Sequence, residues 1–199
     1  MPRSYPERPY VGVGAVIFRG ETVLLVQRAK PPREGAWSLP GGAQKIGETV
    51  QQALAREIAE ETGLKFSARG FLEVVDYIDR DGDGKTRHHY TLLDYWGVSD
   101  AGEIKAGGDA ADARWVPLAD IAKYAMWEKT VEVIEKADAM RRNNTSATLA
   151  LRSLALRSLA PHSIKGHAKV VGWAFLFGMG AYGVVMAMIT LTRMAGWLE

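Results

Sequence analysis

The segment LPGGAQKIGETVQQALAREIAEETGL, residues 39 to 64, constrains this chain more than any other stretch. Thr49 precedes Gln52 by three, the arrangement in which a threonine caps a helix and the third residue reaches back to it. Val50, Ala53, Leu54 and Ile58 then share one helical side, and Gly63 supplies the stop. The spacing predicts an amphipathic helix of about four turns. Glu57, Glu60 and Glu61 stand at i, i+3 and i+4 on it, so their side chains share a face. At about 100° per residue that face overlaps the apolar side instead of opposing it, which turns the carboxylates towards the protein.

Like charges at this spacing repel by roughly 0.2–0.5 kcal/mol per pair when exposed, and by more where water is scarce. A compensating charge is required. Oxygen-rich clusters suit hard divalent cations, and Mg²⁺ in particular is held by one or two carboxylates together with water and substrate phosphates. Arg56 can fix one carboxylate, and Glu48 can steady the loop or the helix entrance. Gly41 and Gly42, read as loop, lack Cβ atoms and let backbone approach a metal or a phosphate. A solvated helix face is the ordinary explanation of a Glu-rich helix; the overlap with the apolar side argues against it here. Metal-assisted attack of water on a pyrophosphate uses all these parts.

The flanking sequence reads as strands at Val11–Phe18 and Thr22–Gln27, a short extended piece at Trp37–Pro40, strands at Phe71–Ile78 and Arg87–Val98, and another at Ala113–Leu118. Short and longer helices are expected at Leu118–Tyr124 and Trp127–Met140. The turn DRDGDGK opens like a calcium loop, but its twelfth position is Tyr90 where a bidentate Glu is needed, so a polar hairpin turn is expected. Strands, helix, strands, helix predict an α/β or α+β sandwich with a mixed sheet.

Residues 1–138 carry 18 Lys+Arg against 22 Asp+Glu, whereas residues 139–199 carry 7 against 1. The basic character therefore belongs to the tail. Absence of cysteine excludes disulfides and thiolate metal sites and fits a reducing compartment, and the polar, Pro-rich start does not read as a secretory signal. The tail repeats Leu-Ala-Leu-Arg-Ser twice, matching no heptad and no clean helical stripe, so 141–169 reads as a basic linker, a spacer or an interfacial helix. Val170 to Thr192 is uncharged for 23 residues, long enough to span a bilayer. Lys165 and Lys169 before it favour that side in the cytoplasm. The expectation is a cytoplasmic domain anchored to the inner or plasma membrane; a buried or dimer-forming helix of a soluble cytoplasmic protein is the alternative.

Gly42, Glu48 and the run Arg56-Glu57-Ile58-Ala59-Glu60-Glu61-Thr62-Gly63-Leu64 together resemble the Nudix box at every defining position. VGVGAVIF, WSLPGG and ARWVPL extend the resemblance over approximately residues 9–140, with 1–8 as a polar arm. It implies a Nudix-type α/β/α sandwich and hydrolysis of a nucleoside diphosphate derivative with Mg²⁺ or Mn²⁺. By the same resemblance Glu57, Glu60, Glu61 and the Gly41 carbonyl would bind metal, Arg56 would orient Glu57, and Gly42 and Glu48 would be supporting. Glu57, or a later loop acid for which Asp109 is the candidate, would activate water. RAKPPREGAWSLPGG and HHYTLLDYW look most like bacterial ADP-ribose pyrophosphatases; a mutator-type triphosphate pyrophosphohydrolase and a non-catalytic nucleotide sensor are the alternatives. Arg28, Lys30 and Arg33 could meet phosphate, Trp37 or Tyr90 could stack on a base, and of His88 and His89 one at most can face the site. No nucleic-acid partner is expected, and a homodimer would be in keeping with the family.

Overall fold

The computed structural model describes residues 4–30 and 33–158. Strands β1 (Tyr10–Arg19) and β2 (Thr22–Arg28) form the expected hairpin. β3 (Trp37–Ser38), β4 (Gly41–Ala43), α1 (Val50–Thr62), β5 (Gly70–Arg80), β6 (Thr86–Val98), β7 (Ala110–Pro117), a 3-10 helix over Leu118–Lys123 and α2 (Glu128–Ser158) follow. The chain divides into two units, of which the first ends at Ala139 and holds everything up to the early turns of α2.

One seven-stranded mixed sheet runs β3-β2-β1-β6-β5, with β4 added to β1 and β7 to β2. β1 lies parallel to β6, and the remaining pairings are antiparallel. The four consecutive residues Ala15, Val16, Ile17 and Phe18 are all fully buried, as expected of a strand covered on both faces. On one face Ala15, Ile17 and Leu24 pack with Ala53, Leu54 and Ile58 of α1. Burying each of these larger side chains contributes roughly 1.5–3 kcal/mol. On the other side, Lys129 and Lys136 of α2 hold Glu73 of β5 at 3.4 and 3.0 Å, and Trp127 just before α2 meets Tyr77 edge-on at 5.4 Å.

α1 begins and ends as its residues demand. The Thr49 hydroxyl accepts from the Gln52 N–H at 3.2 Å while the Gln52 side chain accepts from the Thr49 N–H at 2.8 Å. Gly63 closes the helix at φ +71°, in the left-handed region.

Two expectations need correction. Gly41 and Gly42 belong to a strand, not a loop: β4 pairs antiparallel with β1, Gly41 opposite Gly14 and Gly42 opposite Val13. Gly41 has φ +151°, and a Cβ there would collide with the Val13 carbonyl, so only glycine lets the two strands close. The second concerns the end of α2, which continues beyond Met140 through both copies of the five-residue repeat to Ser158, so 141–158 is helical. That stretch has no Gly or Pro and many Ala, Leu and Arg residues, good helix formers. Residues 142–154 are exposed, so no apolar stripe was needed. The turn between β5 and β6 is polar as expected, with the Asp81 carboxylate accepting from the N–H groups of Asp83 and Lys85.

The rest of the expected linker and the candidate span Val170–Thr192 lie outside the described residues. Among the described residues no helix is long and apolar enough to cross a membrane.

Candidate active site

Arg56 organises the outer part of the site. Its Nε and Nη2 donate to the two oxygens of Glu48 at 2.5 and 2.9 Å, and Nη2 also reaches the Ala43 carbonyl at 3.2 Å. Nη1 lies 2.8 Å from Glu57 and 3.3 Å from Glu60. The guanidinium thus ties β4, the α1 entrance and two box carboxylates together. Arg56 holds the Glu48 carboxyl down to about 2, helped by the Lys45 N–H. The resemblance assigned Arg56 to Glu57; the structure shows that contact, but the two-pronged grip falls on Glu48.

Glu61 sits deeper. Only 8% of it is exposed, and its carboxylate accepts the Gly41 N–H at 2.8 Å. Burial pushes its carboxyl up to about 7; the Gly41 N–H and the Arg28 charge oppose this, while the charges of Glu57 and Asp109 add to it. Glu57 packs against Gly42 so closely that a Cβ on that glycine would lie 2.5 Å from the Glu57 carboxyl carbon. Glu60 is half-exposed, shares the Arg56 Nη1 with Glu57 and lies 3.8 Å from Lys45, whereas Glu61 is held apart on Gly41. The three glutamates therefore do not converge as the helical spacing suggested. Among the described residues no three acidic or histidine groups are gathered tightly enough to hold a metal as placed.

A cavity of about 530 Å³ opens beside Glu61, Gly41 and Gly42. Arg28, Lys30 and Arg33 line it on one side, and so do Trp37 and Asp109. Asp109 is exposed and bound to Lys30 at 2.6 Å. Trp37 stands edge-on to Tyr124 at 5.1 Å, with the Arg114 guanidinium 5.1 Å from its ring centre. Of the adjacent histidines His88 faces the cavity, buried and 3.0 Å from Asp79, as strand alternation requires. Tyr90 joins Tyr77 and Trp127 in a ring cluster on the same floor. Asp94 and Lys129, which also line the cavity, were not singled out from sequence. The signal was present, since Asp94 is the one charge inside the strand run YTLLDYWGV.

The sequence pattern of the NUDIX domain matches residues 8–137. The chain belongs to the Nudix family. It is 39% identical to the ADP-ribose pyrophosphatase of Methanocaldococcus jannaschii over 117 residues, 59% of this chain and 67% of that protein. It is 40% identical to a putative 8-oxo-dGTP diphosphatase 2 of Mycobacterium tuberculosis over 112 residues, 55% of this chain and 74% of that one. Among solved structures, the NUDIX domain of Shewanella oneidensis NrtR, complexed with ADP ribose, superposes with a TM-score of 0.58 at 27% identity, over 68% of this chain and 90% of its own. A MutT NUDIX hydrolase from Burkholderia pseudomallei gives 0.57 at 32% identity, over 65% and 98%.

Nudix hydrolases use divalent metal ions, and this chain is one of these enzymes. The donors present fit such an ion. Glu61 is a buried carboxylate repelled by Glu57 and Asp109, a local excess of negative charge that a hard cation with oxygen preference relieves.

Proposed function

We infer that this Nudix hydrolase cleaves the anhydride of a nucleoside diphosphate linked to a second group, with ADP-ribose, split to AMP and ribose 5-phosphate, as the substrate that fits best. The observation that carries the reading is the buried Glu61, hydrogen-bonded to the Gly41 amide at 2.8 Å, beside a cavity edged by Arg28, Lys30 and Arg33. Carboxylates and basic side chains at one opening suit a diphosphate and the cation that accompanies it. The volume of about 530 Å³ lies within the range of small-ligand sites. The Methanocaldococcus relative and the ADP-ribose complex of the Shewanella domain support this choice of substrate.

Glu57, Glu60, Glu61 and the Gly41 carbonyl are the proposed donors to Mg²⁺ or Mn²⁺. The ion would neutralise phosphate charge and make water more acidic. Engaging it requires Glu60 to leave Arg56 and Lys45, a rotation that its half-exposed position permits. Glu57, steadied by Arg56, is the proposed base that takes the proton of the attacking water; Asp109, held by Lys30, is the alternative. The water oxygen bonds to phosphorus, the bridging P–O bond breaks, and the departing phosphate keeps the bridging oxygen. Arg28 and Lys30 are proposed to meet the phosphates and Trp37 a ring, a reading supported by their lining the cavity.

The Mycobacterium relative favours a second reading, removal of pyrophosphate from a nucleoside triphosphate. The test is a panel of nucleoside diphosphate derivatives and triphosphates with Mg²⁺ or Mn²⁺. AMP and ribose 5-phosphate from ADP-ribose support the first reading, and pyrophosphate from triphosphates alone supports the second. Tight binding of ADP-ribose without product from any compound would make the domain a sensor. For Val170–Thr192 the proposal is a membrane span that leaves the catalytic domain in the cytoplasm. Full-length protein should then sediment with membranes and stay there in high salt, whereas monomeric recovery without detergent would exclude it.

A further inference from the structure

The cavity floor contains a carboxylate for which the hydrolytic step has no use. Asp94 of β6 is 6% exposed and lines the cavity, yet among the described residues no hydrogen bond or ion pair reaches its oxygens. Only longer-range charges act on it: Glu73 opposes its ionisation and Lys129 favours it, while burial is the larger influence, together pushing its carboxyl up to about 6. Lys129 itself is engaged by Glu132 at 2.9 Å and Glu73 at 3.4 Å. The Asp94 oxygens are not among the sealed, unpartnered atoms of the described residues, so they open onto the cavity, and their donors must come from what fills it, water or a ligand.

Its place in the sheet indicates which donors. Gly14 of β1 pairs with Gly41 on one side and with Asp94 on the other. Asp94 is thus two strand spacings, about 10 Å, from the residue whose amide holds Glu61. Gly12 and Gly14 both line the cavity, and the space a Cβ would take is filled at Gly12 by the Leu92 side chain and at Gly14 by the Asp94 carboxylate, so glycine at 14 is what lets that carboxylate lie against β1. In a nucleoside diphosphate derivative the group one ester link from the anhydride is the sugar, and the base is one bond further. The rings of Tyr90, Tyr77 and Trp127 line the same cavity to one side, with Tyr90 four residues from Asp94 along β6, about 13 Å. Vicinal sugar hydroxyls present two O–H donors side by side, and an ionised carboxylate accepts both.

We propose that Asp94 is a specificity-determining residue that accepts hydrogen bonds from the vicinal hydroxyl pair of a ribosyl group in the substrate, the sugar lying in the cavity against the Asp94 carboxylate. This rests on the diphosphate reading above. The test uses full-length protein and calorimetry, with Ca²⁺ as the added ion to suppress turnover, and four probes: ADP, 2′-deoxy-ADP, 2′,3′-dideoxy-ADP and inosine diphosphate. Wild type should bind ADP on the order of tenfold or more tighter than the dideoxy compound, with 2′-deoxy-ADP between, because hydrogen bonds to a charged group are the stronger kind. Inosine diphosphate should bind like ADP. Asp94→Ala should weaken ADP to the dideoxy level while leaving dideoxy-ADP unchanged, and Asp94→Asn, which keeps one acceptor, should fall between.

Equal binding of ADP and dideoxy-ADP by wild type overturns the proposal, as does a ratio that survives in Asp94→Ala. So does equal weakening of all four probes in Asp94→Ala, which would mark a structural role. A preference for ADP over inosine diphosphate that vanishes in the variant would assign Asp94 to the base amino group and overturn it too. Failure of wild type to bind any of the four removes the diphosphate reading itself, and this proposal with it.

Discussion

Arg56 grips Glu48 with two nitrogens, Nε 2.5 Å from one carboxylate oxygen and Nη2 2.9 Å from the other, so the loop that enters α1 is tied to the middle of that helix. The same guanidinium holds Glu57 at 2.8 Å. Glu48→Gln keeps the size but removes the charge, and should free Arg56 to draw Glu57 and Glu60 towards itself. Changes in groups that orient metal-binding side chains typically cost about 10- to 100-fold in activity or metal affinity. The expected result is a fall of that size in kcat/KM, with a raised Mg²⁺ requirement. Turnover and Mg²⁺ dependence indistinguishable from wild type would show that the grip is dispensable.

Glu61→Gln should lower kcat by on the order of 10²-fold or more, the scale of a lost catalytic group. Its side-chain oxygen can still accept the Gly41 N–H, so the fold should survive. A chelator should abolish wild-type turnover, and Mg²⁺ or Mn²⁺ should restore it. The same ions should raise the Tm of wild type but hardly that of the variant, since a ligand stabilises only the state that binds it. An equal Tm rise in both proteins would place the ion elsewhere.

Stability of metal-free protein should fall as pH rises from about 4 to 7. Glu61 and Asp94 are raised from 4.5 and 3.8 to about 7 and about 6, so the folded chain keeps these protons over a range in which the unfolded chain has released them. Each group can account for at most roughly 3 kcal/mol. Glu48 and Asp79, lowered from 4.5 and 3.8 to about 2, act in the opposite sense while the unfolded chain is still releasing these protons, up to about pH 5.5, and so blunt the lower part of the fall. Thermal denaturation in chelator should show Tm declining through the window, and Glu61→Gln and Asp94→Asn should each flatten the decline. A wild-type Tm that climbs from pH 4.5 to 7.5 would contradict the assignment.

Thr49→Ala removes one half of the capping box at α1 and should cost about 1 kcal/mol by urea denaturation. Gly63→Ala forces a Cβ into the left-handed region at φ +71° and should cost about 1–2 kcal/mol. The substitutions lie at opposite ends of the helix, so the double variant should lose nearly the sum. A double variant much less stable than the sum would mean that the ends are coupled through the carboxylate network.

Where local chemistry decides a structure, the residues of this chain announced it. Thr49, Gln52 and Gly63 specify the ends of α1 by hydrogen bonds within a few residues, and Val11–Phe18 specifies a central strand by its apolar run. The box told which carboxylates to watch but not how they are arranged. Helical spacing puts Glu57, Glu60 and Glu61 on one face, whereas side-chain rotation, undetermined by spacing, sends Glu60 to Arg56 and Lys45 and leaves Glu61 on Gly41. Gly41 and Gly42 were read as loop because nothing local reveals that β1, some 30 residues earlier in the chain, offers them a strand partner. Asp94 was passed over for a related reason: an acid in an apolar strand gains meaning only once Gly14 and the cavity are seen beside it. The end of α2 was missed because burial was sought where helix propensity alone suffices.

The placement of Gly14 between Gly41 and Asp94 has one more result. Their Cα separation is fixed by main-chain ladders, so with the sugar at Asp94, as proposed, β1 would act as a ruler laid between the scissile bond and the sugar. On that proposal a substrate whose sugar follows two phosphates would fit the spacing better than one with a longer polyphosphate chain, so phosphate number would be read by the sheet.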